Sequence, residues 1–355
     1  MRRPLATISL ALMLVVPALA WAAAPHAVVL TYHHVAEDTP PSTSITPDAF
    51  ATQMDYLAEH DFNVLALDEI VARLREGRSL PPRTVALTFD DAYRSVYTEA
   101  FPQLRKRGWP FTVFVSTEYI DDGLSNYASW DELREMSAAD ATVGNHSRSH
   151  PHLVRRQFEE DEDQWLGRVR QQITDAQERL DAELADAARL FAYPYGEFSP
   201  EVQEIVRELD FVGLGQQSGG FGPDSDFTAL PRFPIAGRSP SLDSFATKVR
   251  ARPLPLRDVE PASGVLAADD EQPALRLTLG AGVPPASVNC YVGGRQASVR
   301  QTGEEPPVLE VRPEQALEPG RTKYNCTAPV SGADAWHWYS FLWMKPLSDG
   351  SWYRE

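Results

Sequence analysis

The chain has 355 residues, 43% of them hydrophobic, 10% aromatic and 23% charged, which is the composition of two globular domains and not of a disordered or fibrous chain. Its 33 basic residues face 50 acidic ones, for a net charge of −17, and only four of the basic residues are lysine. Surfaces that track phosphate backbones need clustered Lys and Arg, so no nucleic-acid partner is expected.

Arg2 and Arg3 precede an apolar run from Leu5 to Leu19, interrupted by Pro17, and small residues follow at Ala18, Ala20 and Ala22 to Ala24. This is the layout of a secretory signal peptide, with cleavage expected beside Ala24. A proline-broken run of this length is short for a membrane span, and no cysteine stands ready for a lipid anchor. The sequence therefore predicts residues 1–24 as signal peptide and an exported chain, secreted or periplasmic, without a transmembrane anchor.

From residue 25 to 250, strand-like and helix-like segments alternate. Ala27 to Tyr32 reads as a buried strand. Thr46-Pro47-Asp48 opens a helix whose buried face carries Phe50, Met54, Leu57 and Ala58. Strands are expected at Asn63 to Leu67, Val85 to Phe89 and Phe111 to Ser116. Helices are expected at Asp68 to Glu76, around Val96, Ala100 and Leu104, and from Ser129 to Met136. Further on come a strand at Ala141 to Gly144 and a long helix from Phe158 to Leu184. Strands at Leu190 to Tyr193, Phe211 to Leu214 and Ala229 to Phe233 follow, with helices at Ser199 to Leu209 and Ser241 to Val249. Six or more β-α units in this length predict an α/β fold, a parallel sheet closed or nearly closed into a distorted (β/α) barrel.

Residues 251–262 carry Pro253, Pro255 and Pro261 and read as a linker. Beyond it, short strands are expected at Ala274 to Leu279, Ser287 to Val292, Gln296 to Arg300, Val308 to Val311, Thr322 to Thr327 and Trp336 to Met344. Their spacing predicts a small all-β sandwich over residues 263–355. Tyr324 stands two residues before Cys326, which gives a loose immunoglobulin-like likeness. In an exported chain the two cysteines, Cys290 and Cys326, are expected to pair. Trp336, Trp338, Trp343 and Trp352 fit either sugar stacking or packing in the core and between domains.

Three segments carry chemistry. Thr88-Phe89-Asp90-Asp91 brings two carboxylates to the C-terminal end of an apolar strand, the end at which α/β barrels build active sites. His146-Ser147-Arg148-Ser149-His150 follows another strand, and its i, i+4 spacing is expected to set both imidazoles on one face, a turn apart, where they grip one ion. One Asp and two His with open positions suit a catalytic divalent-metal site. His152 reads as a loop residue. Phe191-Ala192-Tyr193-Pro194-Tyr195-Gly196 adds a tight turn at a third strand end, with backbone N–H groups available to the barrel mouth.

This ordered triple, T-F-D-D, H-S-x-x-H and Y-P-Y-G, resembles the polysaccharide deacetylases of carbohydrate esterase family 4, over roughly residues 27–250. The opening Val29-Leu30-Thr31-Tyr32-His33-His34-Val35 and Ser79-Leu80-Pro81-Pro82 look like the branch that contains poly-N-acetylglucosamine deacetylases. The resemblance implies that Asp91, His146 and His150 hold a divalent metal, zinc foremost, with cobalt, nickel or iron(II) as alternatives. It implies Asp90 as general base and the backbone N–H of Tyr195 as oxyanion donor, beside Pro194. The implied partner is a β-linked N-acetylglucosamine polymer. An O-acetyl esterase on acetylated polysaccharide and a catalytically weak polysaccharide-binding protein are the rival readings.

The chain departs from that family in three ways. Ala92 stands where glycine usually follows the aspartate pair. No histidine lies between His152 and His337, so the usual late general acid is absent; His33 is the expected substitute, His34 the alternate, and simple packing at a strand end the competing reading. The arginine that orients the base is Arg189 or Arg232, with Arg232 favoured. Phe227, Leu230 and Phe233 are expected either to line an acetyl pocket or to pack in the core.

Overall fold

The apolar run at residues 27–32 forms a strand buried along its whole length, as a strand covered on both faces must be. The computed structural model describes residues 25–185, 187–237 and 241–354, so the expected signal peptide lies outside the described residues. Ala27–Tyr32 (β1) is followed by Thr84–Phe89 (β2), Phe111–Val115 (β3), Ala141–Asn145 (β4), Leu190–Ala192 (β5) and Val212–Leu214 (β6), and these six lie side by side in chain order. All their pairings are parallel, with Thr88 of β2 opposite Thr31 of β1 and Thr112 of β3. Helices between the strands cover the sheet, which curls into a distorted (β/α) barrel.

The curl leaves a gap between β6 and β1, and an irregular segment fills it. The expected strand Ala229 to Phe233 is reduced to Phe233–Pro234, paired in parallel with β1, and a single bridge from Leu230 to Leu214. Pro231 has no N–H to give to a ladder, and the Arg232 N–H turns away to donate to the Gln217 carbonyl at 2.9 Å. A short strand, Gly220–Phe221, pairs antiparallel with β1 and was not foreseen.

Helix boundaries follow capping chemistry. The Thr46 side chain accepts from the Ala49 N–H at the start of Pro47–Glu59, whose buried face uses Phe50, Met54 and Leu57 as expected but Gln53 and Tyr56 in place of the exposed Ala58. The long helix is Glu162–Glu183, begun by an Asp161–Gln164 capping box. Phe158 lies outside it and is 92% exposed. Leu67 opens the helix Leu67–Arg75 instead of ending a strand, because only Asn63–Val64 pairs with β2.

The proline-rich stretch after residue 250 corrects the linker reading. Arg252–Pro253 (β7) pairs with the last strand of the chain, and Leu256–Glu260 (β8) pairs with the first strand beyond the stretch. Both strands lie at sheet edges, where a missing proline N–H costs no ladder bond. Leu275–Leu279 (β9), Asn289–Val292 (β10), Arg295–Gln296 (β11), Ser298–Glu304 (β12), Pro307–Arg312 (β13), Gly320–Pro329 (β14) and Trp336–Lys345 (β15) complete two sheets, ordered β7-β15-β14-β10-β11 and β8-β9-β13-β12. Leu275, Leu277, Leu309, Val311, Tyr324 and Trp343 fill the core of this unit.

Cys290 and Cys326 are bonded and lie directly opposite each other on β10 and β14. Closing that loop stabilises the unit by about 3–4 kcal/mol in the chain-entropy model. The bridge joins neighbours within one sheet, whereas an immunoglobulin disulfide spans two, and the Tyr324 hydroxyl donates to the Pro273 carbonyl, 51 residues upstream. The Tyr324–Cys326 spacing that suggested an immunoglobulin-like likeness is therefore wired differently here. Trp343 is core, Trp338 packs edge-on against Phe233 of the barrel at 5.1 Å, and Leu342 and Met344 share an apolar cluster with Phe191 and Tyr193. Of the β15 tryptophans, Trp343 packs within this unit and Trp338 packs across to the barrel, while Trp336 is 40% exposed.

Candidate active site

The carboxyl ends of β1, β2, β4 and β5 converge on one cluster. Asp91 leaves β2 with φ 69°, and Ala92 follows at φ 56°. Holding a non-glycine residue in this left-handed region costs about 1 kcal/mol or more, and such strain persists only where the surroundings enforce it. His146 and His150 do not share a helical face as their spacing suggested. They flank a turn in which Ser147 (φ 67°) and His150 (φ 54°) are left-handed, pinned by Asn145 Oδ1 accepting from the Ser147 N–H at 2.8 Å. The outcome is the same: one donor atom from each of Asp91, His146 and His150 lies within 4.8 Å of the others.

Three observations fit this cluster to a divalent cation. His146 Nδ1 sits 2.7 Å from the Ala192 carbonyl, which can only accept, so the proton is on Nδ1 and the Nε2 lone pair faces the cluster. Asp91 Oδ1 lies 3.4 Å from Nε2 of both histidines yet is buried without a hydrogen-bond partner. The donor set, two imidazoles and one carboxylate, suits zinc and its first-row neighbours. Burial would raise the Asp91 carboxyl, but His146, then His150 and His33, hold it far below its usual range. Burial, foremost, pushes His150 down to about 4, so it stands ready as a neutral ligand.

Asp90 is wholly buried beside the cluster and is held by Arg232, also wholly buried. The guanidinium grips both carboxylate oxygens, Nη1 to Oδ1 at 2.6 Å and Nη2 to Oδ2 at 2.8 Å. Arg232 is itself fixed: Nε donates to the Gly215 carbonyl at 2.8 Å, Nη1 donates to Thr31 Oγ1 at 3.0 Å, and the Phe114 ring lies beneath at 5.4 Å. Burial alone would raise the Asp90 carboxyl, yet the Arg232 charge, followed by His146 and His33, brings it below its ordinary value. It is an ionised acceptor at neutral pH, aimed by a fork that cannot rotate.

His33 Nε2 lies 4.0 Å from Asp90 Oδ2, with 16% of its side chain exposed, so it faces the same pocket from β1's end. His34 instead stacks on Tyr93 at 3.5 Å. The Pro194–Tyr195–Gly196 turn brings the Tyr195 side chain to the cluster, with the backbone at φ 60° and the ring 4.5 Å from that of His150.

Residues 77–214 match the family model of the polysaccharide deacetylases. The chain carries a polysaccharide deacetylase domain. The poly-β-1,6-N-acetyl-D-glucosamine N-deacetylase of Escherichia coli K12 is 25% identical over 257 residues, a match that spans 62% of this chain but only 38% of that protein. The protein of the same name from Staphylococcus epidermidis is 25% identical over 249 residues, spanning 63% of this chain and 82% of its own length. Among solved structures, IcaB from Ammonifex degensii is similar at 27% identity and a TM-score of 0.54, covering 63% of this chain and 96% of its own. The BpsB deacetylase domain from Bordetella bronchiseptica is similar at 25% identity and a TM-score of 0.53, covering 59% and 96%.

The family match takes in Asp90, Asp91, His146, His150, Pro194 and Tyr195 of the deacetylase domain, while His33 and Arg232 lie outside it. Four candidate residues stand elsewhere than in the site. Arg189 is exposed and pairs with Asp181 at 3.3 Å. Phe233 is fully enclosed between the sheet and Trp338, and Leu230 is likewise core, so neither lines an open pocket; Phe227 packs against that core beneath Arg75.

Sequence reasoning missed Glu197 and Gln216. The Glu197 carboxylate is completely buried and accepts from His152 Nδ1 at 2.8 Å, while the His152 ring stacks on Tyr195 at 3.8 Å. His152 is thus more than a loop residue of the deacetylase domain: it forms the floor under the Tyr195 ring. Gln216 Nε2 donates to Asp90 Oδ2 at 3.4 Å. A glutamate directly after Tyr-Gly was the one visible signal. Gln216 carried none, because its partner is 126 residues away.

Proposed function

We propose that this chain is an exported, metal-dependent hydrolase that removes N-acetyl groups from a β-linked N-acetylglucosamine polymer. The observation that carries this reading is the convergence of Asp91, His146 and His150 beside an Asp90 clamped by Arg232. The names of the similar proteins, poly-β-1,6-N-acetyl-D-glucosamine N-deacetylases, support the substrate class. Zinc is the proposed ion, with cobalt, nickel or iron(II) as alternatives. Export, to the periplasm or beyond, is read from residues 1–24, and residues 25–250 are the proposed catalytic domain.

Asp91, His146 and His150 would hold the ion, which when bound lowers the pKa of water and polarises the acetyl carbonyl. Asp90 accepts the proton as the water oxygen attacks the carbonyl carbon, and Arg232 keeps that carboxylate ionised and in line. The Tyr195 backbone N–H donates to the oxygen on which negative charge develops. When the carbon–nitrogen bond breaks, the leaving amine takes a proton from His33, so acetate and a glucosamine unit result. His33→Ala should lower kcat at least about tenfold and flatten the alkaline limb of the pH–rate profile. Unchanged turnover and profile would remove His33 from the mechanism.

Acetate release from a panel of N- and O-acetylated glycans, with and without chelator, tests the reading directly. We expect release from N-acetylglucosamine oligomers, its loss with chelator and its return with added zinc, cobalt or nickel. Release from O-acetyl substrates alone would make the chain an esterase. A metal-loaded protein that releases no acetate from any of them would be a binding protein.

A further inference from the structure

Tyr195 keeps a left-handed backbone although it is not glycine, and the next residue shows how tightly its turn is pressed. At Gly196 a Cβ would meet Gln216 Cβ at 2.6 Å and the Gln216 nitrogen at 2.8 Å, so the turn and the Gln216 loop touch backbone to backbone. The barrel does not hold these two loops by itself. Arg321 and Lys323, two residues apart on β14, project from one face of that strand onto both. Arg321 Nη1 donates to the Tyr195 carbonyl at 3.0 Å, and its guanidinium lies over the Tyr195 ring at 5.2 Å. Lys323 Nζ donates to the Gln216 carbonyl at 2.6 Å. Gln216 is the residue whose amide reaches Asp90.

The same half of the chain closes the underside. Buried Glu197, next to the turn, gathers His152 and Arg155 from the barrel with Arg321 at 3.9 Å and the Tyr353 hydroxyl at 3.3 Å from the C-terminal unit. Arg155 donates to the Tyr353 carbonyl at 3.0 Å and lies over the Trp352 and Tyr353 rings. The platform behind these contacts is rigid: β14 pairs with β15 over ten residues and is bridged to β10 through Cys326.

We propose that the C-terminal β-unit completes the active site, with Arg321 and Lys323 as positioning residues that set the Tyr195 turn and the Gln216 loop against Asp90. They touch no reacting atom and act through the backbone they hold. The proposal rests on the deacetylase reading for its catalytic consequence, but not for its geometry.

Full-length Arg321→Ala, Arg321→Lys, Lys323→Met and the Arg321→Ala/Lys323→Met double variant test it. We expect kcat on N-acetylglucosamine oligomers to fall about tenfold to a hundredfold, with KM changed less than about threefold, because sub-ångström misplacement costs rate more than affinity. Metal content and melting temperature should stay near wild type. Arg321→Lys should recover only part of the rate, since an ammonium reaches the carbonyl but lacks the planar face over the ring. Amide hydrogen exchange should quicken at residues 195–197 and 215–217 in the double variant and stay unchanged elsewhere. Exchange needs no substrate. If wild-type protein released no acetate while local exchange still rose, the positioning contact would stand and only the deacetylase reading would fall. Unaltered exchange and unaltered kcat in the double variant, or exchange rising along the whole chain with a fallen melting temperature, would overturn the proposal.

Discussion

Replacing Asp91 with asparagine is expected to empty the metal site and lower acetate release at least about a thousandfold, equivalent to about 4 kcal/mol of activation barrier. Asp91 is the only carboxylate in the cluster and its Oδ1 lies between the two imidazoles, 3.4 Å from each Nε2. An amide keeps the shape but removes the charge that draws a divalent ion out of water. Without the ion, the oxygen has no hydrogen-bond partner to lose, so the fold should survive the change. The check is metal content by elemental analysis beside the melting temperature of chelated wild type and variant. A variant that kept one equivalent of tightly bound metal would show that the donors lie elsewhere.

Arg232→Met carries the second large effect, and it acts on stability and rate together. The substitution leaves the Asp90 carboxylate fully buried without the guanidinium that meets both its oxygens. Removing one partner of such a pair costs about 3–5 kcal/mol, because the other charge stays out of water unpaired. The sign with pH follows from the same pair. In the wild type the Asp90 carboxyl is depressed, so its stabilising contribution is present above the unfolded carboxyl value and is lost as pH falls through the folded one. In the variant burial prevails and the carboxyl rises, so the acid limb of kcat/KM should move to higher pH. Adding Asp90→Asn to Arg232→Met should recover most of the stability and none of the activity, a double-mutant cycle that separates the two roles. An acid limb that stayed in place would disconnect Arg232 from Asp90.

Arg232 also shows where sequence reading stops. Arg189 and Arg232 stand at comparable strand ends, and choosing between them required knowing which side chain turns inward. Pro231 breaks the expected strand, the Arg232 N–H goes to Gln217, and the gap between β6 and β1 then becomes the channel through which this guanidinium reaches Asp90. Phe233 and Leu230 failed as pocket residues for the same reason: the segment that delivers Arg232 inward turns its apolar neighbours into the core. The histidine pair came together although the helical rationale was wrong, since left-handed Ser147 and His150 fold five residues back on themselves.

By itself the sequence determined whatever depends on near neighbours. Apolar runs marked the buried strands, Thr46, Ser129 and Ser199 marked helix starts, and the spacing of Asp90-Asp91, His146 and His150 marked the chemistry, because capping and strand burial are decided within a few residues. Tertiary structure alone decided what depends on contacts across the chain: the arginine that aims the base, the burial of Glu197, and the strands made from a proline-rich stretch. It also decided that Arg321 and Lys323, more than a hundred residues beyond the turn and loop they hold, reach the barrel at all. A charged side chain on a strand face carries no local sign of its partner. Only the packing of one sheet against another supplies that partner, and for the four lysines of this acidic chain it gave one of them, Lys323, a carbonyl beside the candidate active site.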